Sequence, residues 1–163
     1  MNVLVPAISE DHFSTVSRLA WEILMPFYQP VIPVDHIEYF LERFLSVEAL
    51  AQVTSKDFKY WCLQHNGVNA GFLGLQYAED WLLLSKLYIL EEYRGKGLGR
   101  MAIEQTVAEA HNHGYSEIRL TVNEHNDDGI AIYERLGYKR VELQTNSFPN
   151  GCSLRDWLMI KQL

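Results

Sequence analysis

The sequence predicts an α+β fold of mixed α/β character: one domain over residues 1–163, built on a twisted mixed sheet with helices on both faces. About seven strands and four to five helices are expected from the alternation of β-rich and amphipathic helical runs along the chain. Two further observations support this reading. Asn66-Gly67 joins two β-rich runs as a tight hairpin would, and a buried strand, a glycine-rich bend and a long helix follow one another between Trp81 and His113. At 163 residues the chain is long enough for one core that buries about two-thirds of the unfolded surface.

Asn2 to Ala7 reads as the first strand. Ser9 then has the form of an N-cap, with Glu10 and Asp11 placed to favour the positive end of a helix. Phe13, Val16, Ala20, Ile23 and Leu24 recur at helical spacing, so a helix is expected from Glu10 to Met25. Pro26, Pro30 and Pro33 are expected to end it and to leave an aromatic loop. Asp35 with Glu38 has the spacing of a capping box, and Ile37, Phe40, Leu41, Phe44 and Leu45 form one apolar face behind it. Ser46 is placed to cap a further short helix through Val53.

Phe58 to His65 and Val68 to Tyr77 should pair antiparallel about Asn66-Gly67. Ala78-Glu79-Asp80 turns into the buried strand Trp81 to Leu90. Beyond the glycines, Leu98, Ala102, Ile103, Thr106, Val107 and Ala110 stripe a helix that Gly114 ends. Glu117 to Val122 follows as a strand. A helical crossover joins it to Trp81–Leu90, so the two should run parallel. Asn126 to Leu136 is a short helix closed by Gly137, and strands near Tyr138 to Asn146 and Leu154 to Lys161 complete the sheet.

Composition excludes several classes. Hydrophobic residues at 48% and charged ones at 21% are globular values, which argues against disorder. A formal net charge of −7 argues against a nucleic-acid partner, which would need a basic face, and suits a cationic substrate. Cys62 and Cys152 stand in no ligand spacing, and no acid or cysteine accompanies the six histidines at such a spacing, so neither a disulfide framework nor a metal site is expected. The start of the chain lacks a basic region followed by an apolar core, and no apolar run approaches about 18 residues. A cytoplasmic protein with no membrane partner is the expectation.

The chemistry-bearing stretch is Arg94-Gly95-Lys96-Gly97-Leu98-Gly99-Arg100. Its glycines let the backbone turn tightly and bring several N–H groups to one anion. The following helix aims its own free N–H groups at the same point, and Arg94, Lys96 and Arg100 supply countercharge. A Walker loop would need Ser or Thr after Gly-Lys, where this chain has Gly97. A dinucleotide fingerprint would need its third glycine where Arg100 stands, on a strand that comes first in the chain.

These residues resemble the pyrophosphate-binding motif of the GNAT superfamily of acyl-CoA-dependent N-acyltransferases, Arg/Gln-x-x-Gly-x-Gly/Ala after a central strand. A second match is Asn126-Asp127-Asp128-Gly129-Ile130-Ala131-Ile132-Tyr133-Glu134-Arg135-Leu136-Gly137-Tyr138. Gly129 departs from the family's usual Ala, which should weaken that helix by about 1 kcal/mol. The resemblance implies acetyl-CoA as cosubstrate, held by Arg94, Gly95, Lys96, Gly97, Leu98, Gly99 and Arg100, with Asn126 in the same set. It also implies that the two parallel strands splay, leaving backbone groups of Leu87, Tyr88 and Ile89 to hold the pantetheine arm and the thioester carbonyl.

Tyr133 matches the family's general acid. The resemblance implies that the paired helices after the first strand wall the acceptor pocket and that the Phe27–Asp35 loop helps choose the substrate, with Tyr28, Asp35 and Tyr39 as candidates to meet an amine. Glu79, Asp80 and Glu124 are candidates for the base that deprotonates it. Acetylases of ribosomal-protein N-termini carry a glutamate where this chain has Thr121. The Ile37–Val53 segment, Val122-x-Glu124-x-Asn126 and the ending Asp156-Trp157-Leu158-Met159-Ile160-Lys161-Gln162-Leu163 resemble the Pai-type polyamine acetyltransferases. The expected reaction is acetyl transfer to a primary amine of a small molecule, such as spermidine or spermine. A peptide or lysine acceptor and a non-catalytic acyl-CoA-binding module are the alternatives. A homodimer is expected from the superfamily.

Overall fold

The computed structural model describes residues 1–54, 57–148, 151 and 153–163; Cys152 lies outside the described residues. Strand β1 (Asn2–Pro6) leads into α1 (Glu10–Tyr28), where the Ser9 hydroxyl accepts the His12 N–H at 3.3 Å as the cap its sequence implied. Helices α2 (Val34–Leu45) and α3 (Val47–Val53) follow, the second capped by Ser46 through the Ala49 N–H at 3.2 Å. Then come β2 (Phe58–His65), β3 (Val68–Tyr77), β4 (Leu82–Ile89), α4 (Leu98–Asn112), β5 (Glu117–Asn123), α5 (Asp127–Arg135), β6 (Lys139–Ser147) and β7 (Ser153–Gln162). All seven strands join one sheet in the order β1-β2-β3-β4-β5-β7-β6. Asn66 and Gly67 take φ of 49° and 80°, the left-handed pair of a tight hairpin.

The sheet separates two cores by the period-2 alternation of its side chains. Trp61, Leu63, Leu73, Leu75, Leu82 and Leu84 face α4 and α5, while Tyr60, Cys62 and Phe72 face α1, α2 and α3. Leu19, Leu41, Leu63 and Leu73 are completely buried, each such side chain contributing about 1.5–3 kcal/mol.

Two helix starts and ends differ from expectation. α1 does not stop at Met25 but carries Pro26 inside it and closes through Gln29 N–H to Met25 O at 2.9 Å. Proline costs this helix one N–H bond, and the added turn seats Tyr28 in the apolar core on that face, where Ile32 also packs. The capping box at Asp35 is absent: α2 is entered from Pro33 with no side-chain cap, and Asp35 sits exposed in its first turn.

The central pair of strands is splayed. β4 and β5 are parallel neighbours only at Leu82–Leu84 against Ile118–Leu120. Past Leu84, β4 keeps its partner β3 to Ile89 and β5 keeps β7 to Asn123. The register passes from Leu75↔Leu84 to Gly74↔Lys86, so Ser85 has no opposite residue and forms a bulge where the two strands part. An extra residue bends a strand and adds twist, which is the local cause of the opening.

Candidate active site

The donor side of the opening is local in the chain. β4 ends at Ile89, a 3₁₀ turn over Glu91–Tyr93 follows, and Gly97, with φ of 87°, starts α4 with no side-chain cap. The first intrahelical bond is Met101 N–H to Gly97 O, so the N–H groups of Leu98, Gly99 and Arg100 have no partner within the helix. These N–H groups and the helix dipole form an anion site. Asn2 props the loop from beneath: its amide donates to the Lys96 carbonyl at 2.8 Å, and its oxygen lies 2.7 Å from His65 Nδ1. Arg94, Gly95 and Lys96 are exposed. Arg94 Nε donates back to the Ile89 carbonyl at 3.3 Å, and Arg100 pairs with Glu104 at 2.9 Å in an exposed contact that is weak and easily exchanged.

The register also assigns the backbone of β4. Leu90 N–H donates to Ala70 O at 2.8 Å, and the Tyr88 carbonyl lies so close to Gly71 that a Cβ there would collide with it. Tyr88 therefore directs its backbone groups to β3. Leu87 and Ile89 alternate with it and direct theirs into the opening. Of the three β4 residues expected to offer backbone groups, Leu87 and Ile89 turn theirs away from β3, and Tyr88 does not.

Across the opening, Asn126 caps α5 by accepting the Gly129 N–H at 3.0 Å. A Cβ at residue 129 would stand 2.6 Å from the Asn126 amide nitrogen, so the glycine makes room for the cap and is no mere weakness in the helix. Tyr133 packs edge-on to Tyr138, ring centroids 5.7 Å apart, and burial pushes its hydroxyl up to about 12. The Tyr133 phenol is near enough to Tyr88 to oppose its ionisation.

The acceptor side is assembled from distant residues. Tyr28 and Tyr88 lie close together, and both hydroxyls are raised well above their ordinary range, chiefly by burial. Lys86, two residues before Tyr88, shares its face of the strand. Burial of its ammonium lowers Lys86 to about 8, against an opposing pull from Asp156, and it donates to Ser85 Oγ at 2.9 Å. Asp156 of β7 receives the amides of Asn146 at 3.2 Å and Asn123 at 3.4 Å. Its carboxyl is raised, burial outweighing those two amides and Lys86. Its hydrogen-bond donor Asn123 and its chain neighbour Arg155 line a cavity of about 240 Å³ together with Ile32, Glu124, Thr145 and Leu154.

Neither Lys86 nor Asp156 was singled out from the sequence. The available signal was a charge inside an otherwise apolar β run, which burial makes costly unless a partner stands opposite. Glu124 does reach this cavity, but Arg155 grips both of its oxygens, at 2.9 and 2.8 Å. Glu79 and Asp80 do not belong here. They are exposed in the turn before Leu82, at the end of β4 where it is still paired with β5. Asp35 is exposed and Tyr39 half-buried on α2, outside the polar group formed by Tyr28, Tyr88, Lys86 and Asp156.

The sequence profile of the acetyltransferase (GNAT) family matches residues 18–138, most of the chain. The chain belongs to this family. A [ribosomal protein bS18]-alanine N-acetyltransferase of Escherichia coli is 29% identical over 115 residues, 70% of this chain and 78% of that protein. An uncharacterized N-acetyltransferase of Mycobacterium tuberculosis is 26% identical over 156 residues, 94% and 97% of the two chains. Among solved structures, the PaiA N-acetyltransferase from Thermoplasma acidophilum, crystallised with coenzyme A, superposes with a TM-score of 0.82 at 21% identity over 100% of this chain and 99% of that one.

As a GNAT acetyltransferase the protein uses acetyl-CoA as cosubstrate. The donor side fits that molecule on its own geometry. N–H groups without an intrahelical partner start α4 next to the exposed Arg94 and Lys96, and β4 beyond Leu84 has no parallel partner. No helix among the described residues is long and apolar enough to cross a membrane.

Proposed function

We propose that the protein moves an acetyl group from acetyl-CoA directly to a primary amine in a ternary complex, and that the amine is a small polyamine such as spermidine or spermine. The observation that supports the reading is the parting of β4 from β5 after Leu84, with the uncapped start of α4 at the far end of β4, the half-buried, neutral phenol of Tyr133 on the helix after β5, and a cavity beside Asn123 and Arg155. Acetyl-CoA, when bound, supplies an activated acyl carbon on a thioester. The α4 N-terminus and the Arg94–Arg100 loop bind its phosphates, and Leu87 N–H polarises the carbonyl as an oxyanion-hole donor.

Tyr133 stays protonated up to about 12 and so holds a proton for the departing sulfur. The net charge of −7 and the carboxylate of Asp156 favour a cationic acceptor.

A peptide α-amine is the second reading, favoured by the identity to the Escherichia coli acetylase that acts on an alanine of ribosomal protein bS18. Against it stands Thr121, which is exposed on the acceptor face at the position where the family's acetylases of ribosomal-protein N-termini have glutamate. Free-thiol release from acetyl-CoA over spermidine, spermine, monoamines and peptides separates the readings. Turnover confined to polyamines is the expected result. Turnover with peptides alone would replace the acceptor, and tight coenzyme A binding with no turnover on any amine would indicate a binding module.

A further inference from the structure

We propose that Asp156 is the carboxylate that receives the acceptor amine, binding its ammonium and taking its first proton, with Lys86 as the positioning cation across the β4–β5 opening. The proposal rests on the acetyl-transfer reading above and assigns its missing base.

Position is the first argument. Lys86 stands directly after the Ser85 bulge, on the strand that swings away, and Asp156 stands on β7 opposite Asn123, the last residue of β5. Trp157 and Met159 belong to the core beneath α4, while Leu154 lines the small pocket under Tyr28. Asp156 alternates with the former and therefore faces α1, the side on which Tyr28 and the cavity lie. The charged and titratable groups that face it are Lys86 and Tyr88 from β4, Tyr28 from α1, and Glu124 from the turn after β5; the amides of Asn123 and Asn146 complete its surroundings.

Chemistry is the second argument. Asn123 and Asn146 donate to Asp156 and cannot take its place as proton acceptors, and a carboxylate with two donors keeps further lone pairs for an incoming N–H. Glu124 is occupied on both oxygens by Arg155. Lys86 has only Ser85 Oγ as a hydrogen-bond partner among the described residues, a poor match for a buried ammonium on its own. It serves as a fixed countercharge that keeps Asp156 ionised against its burial.

The step balances. The acceptor N–H bond breaks and an O–H bond forms on Asp156. The freed lone pair makes the C–N bond as the C–S bond breaks, sulfur takes the Tyr133 proton, and the second amine proton returns to Tyr133. The proton on Asp156 leaves to solvent through the cavity at Asn123.

The test uses the full chain, with steady-state thiol release across pH on an amine that the wild type turns over, and coenzyme A titrated calorimetrically as a binding probe. Asp156→Asn should lower kcat/KM about a hundred-fold and remove the acidic limb of its pH profile, while coenzyme A binds within about twofold of wild type. Asp156→Glu, which keeps a carboxylate, should retain an acidic limb. Lys86→Met should lower kcat/KM several-fold and move that limb up by about one pH unit, because the cation that holds Asp156 ionised is gone.

An Asp156→Asn enzyme with the wild-type profile would overturn the assignment alone. So would a Lys86→Met enzyme whose limb vanishes while Asp156→Asn keeps its own, which would make Lys86 the base. If Asp156→Asn fails to bind coenzyme A, the Asp156→Glu and Lys86→Met limbs decide. A wild type that binds coenzyme A and acetylates no amine would instead sink the acetyl-transfer reading, and this proposal with it.

Discussion

The two sides of the opening are built by different means. The donor side is one continuous piece, Leu87 to Arg100, in which strand, turn and helix N-terminus come in the order that anion binding needs. The acceptor side draws Tyr28, Lys86, Asn123, Asn146 and Asp156 from α1, β4, β5, β6 and β7. Local backbone geometry suffices for the first, because N–H groups and a helix dipole need only consecutive residues. The second exists only because β7 inserts between β5 and β6, which brings Asp156 level with Asn123. A donor side made of backbone tolerates side-chain change but not backbone change, and the acceptor side has the reverse sensitivity.

Substitutions can break or sharpen this contrast. The largest effect is expected at Tyr133, which belongs to neither side alone. Tyr133→Phe should lower kcat roughly ten- to a thousand-fold while coenzyme A affinity in calorimetry stays near wild type. An unchanged kcat would remove the residue from its acid role.

Next comes the donor backbone. Gly97→Val puts a β-branched residue at a φ of 87°, with its Cβ 3.2 Å from the Asn2 amide, and should weaken coenzyme A binding roughly a hundred-fold. Retained affinity would show that the loop does not depend on that conformation.

The acceptor side should show its cost in stability. Lys86 has its proton affinity lowered from 10.5 to about 8 by burial, so between those values the unfolded chain binds the proton that the folded chain has lost. Stability should therefore rise with pH from about 8 to 10.5 and should be diminished at neutral pH, where the buried ammonium is charged. Lys86→Met should then be more stable at pH 7, by about 2 kcal/mol, and should flatten that rise in chemical denaturation across pH. A lower melting point at pH 7 would mean that the ammonium is stabilised by more than its visible partners.

Smaller effects mark the shared core. Tyr138 Oη is buried without a hydrogen-bond partner among the described residues. Tyr138→Phe should gain about 1 kcal/mol in denaturant titration, since an unmet buried hydroxyl is removed at constant shape. Gly129→Ala should change stability by only a few tenths of a kcal/mol, the gain in helix propensity being offset by the crowding of the Asn126 cap. A full gain of about 1 kcal/mol would show that the cap moves aside freely.

Legibility followed the range of the interactions. The Asn66-Gly67 hairpin, the Ser9 and Ser46 caps and the glycine-rich opening of α4 were readable because each is a contract between residues within a few positions of one another. Pro26 misled because its local penalty of one hydrogen bond was outweighed by packing of the turn beyond it, which no local pattern reports. Glu79 and Asp80 were placed at the active edge as loop acids, but strand direction puts the turn before β4 at the closed end.

The sequence by itself determined the strand and helix order, the glycine-rich anion loop and the family, since these rest on periodicity, on φ above zero and on motifs of consecutive residues. Only the tertiary structure decided where β4 and β5 part, which backbone groups face the gap, and that Lys86 and Asp156 share the α1 face of the sheet there. Those depend on a one-residue bulge and on the order of strands in a sheet, and hydrogen bonding between distant segments is written in no single stretch of chain.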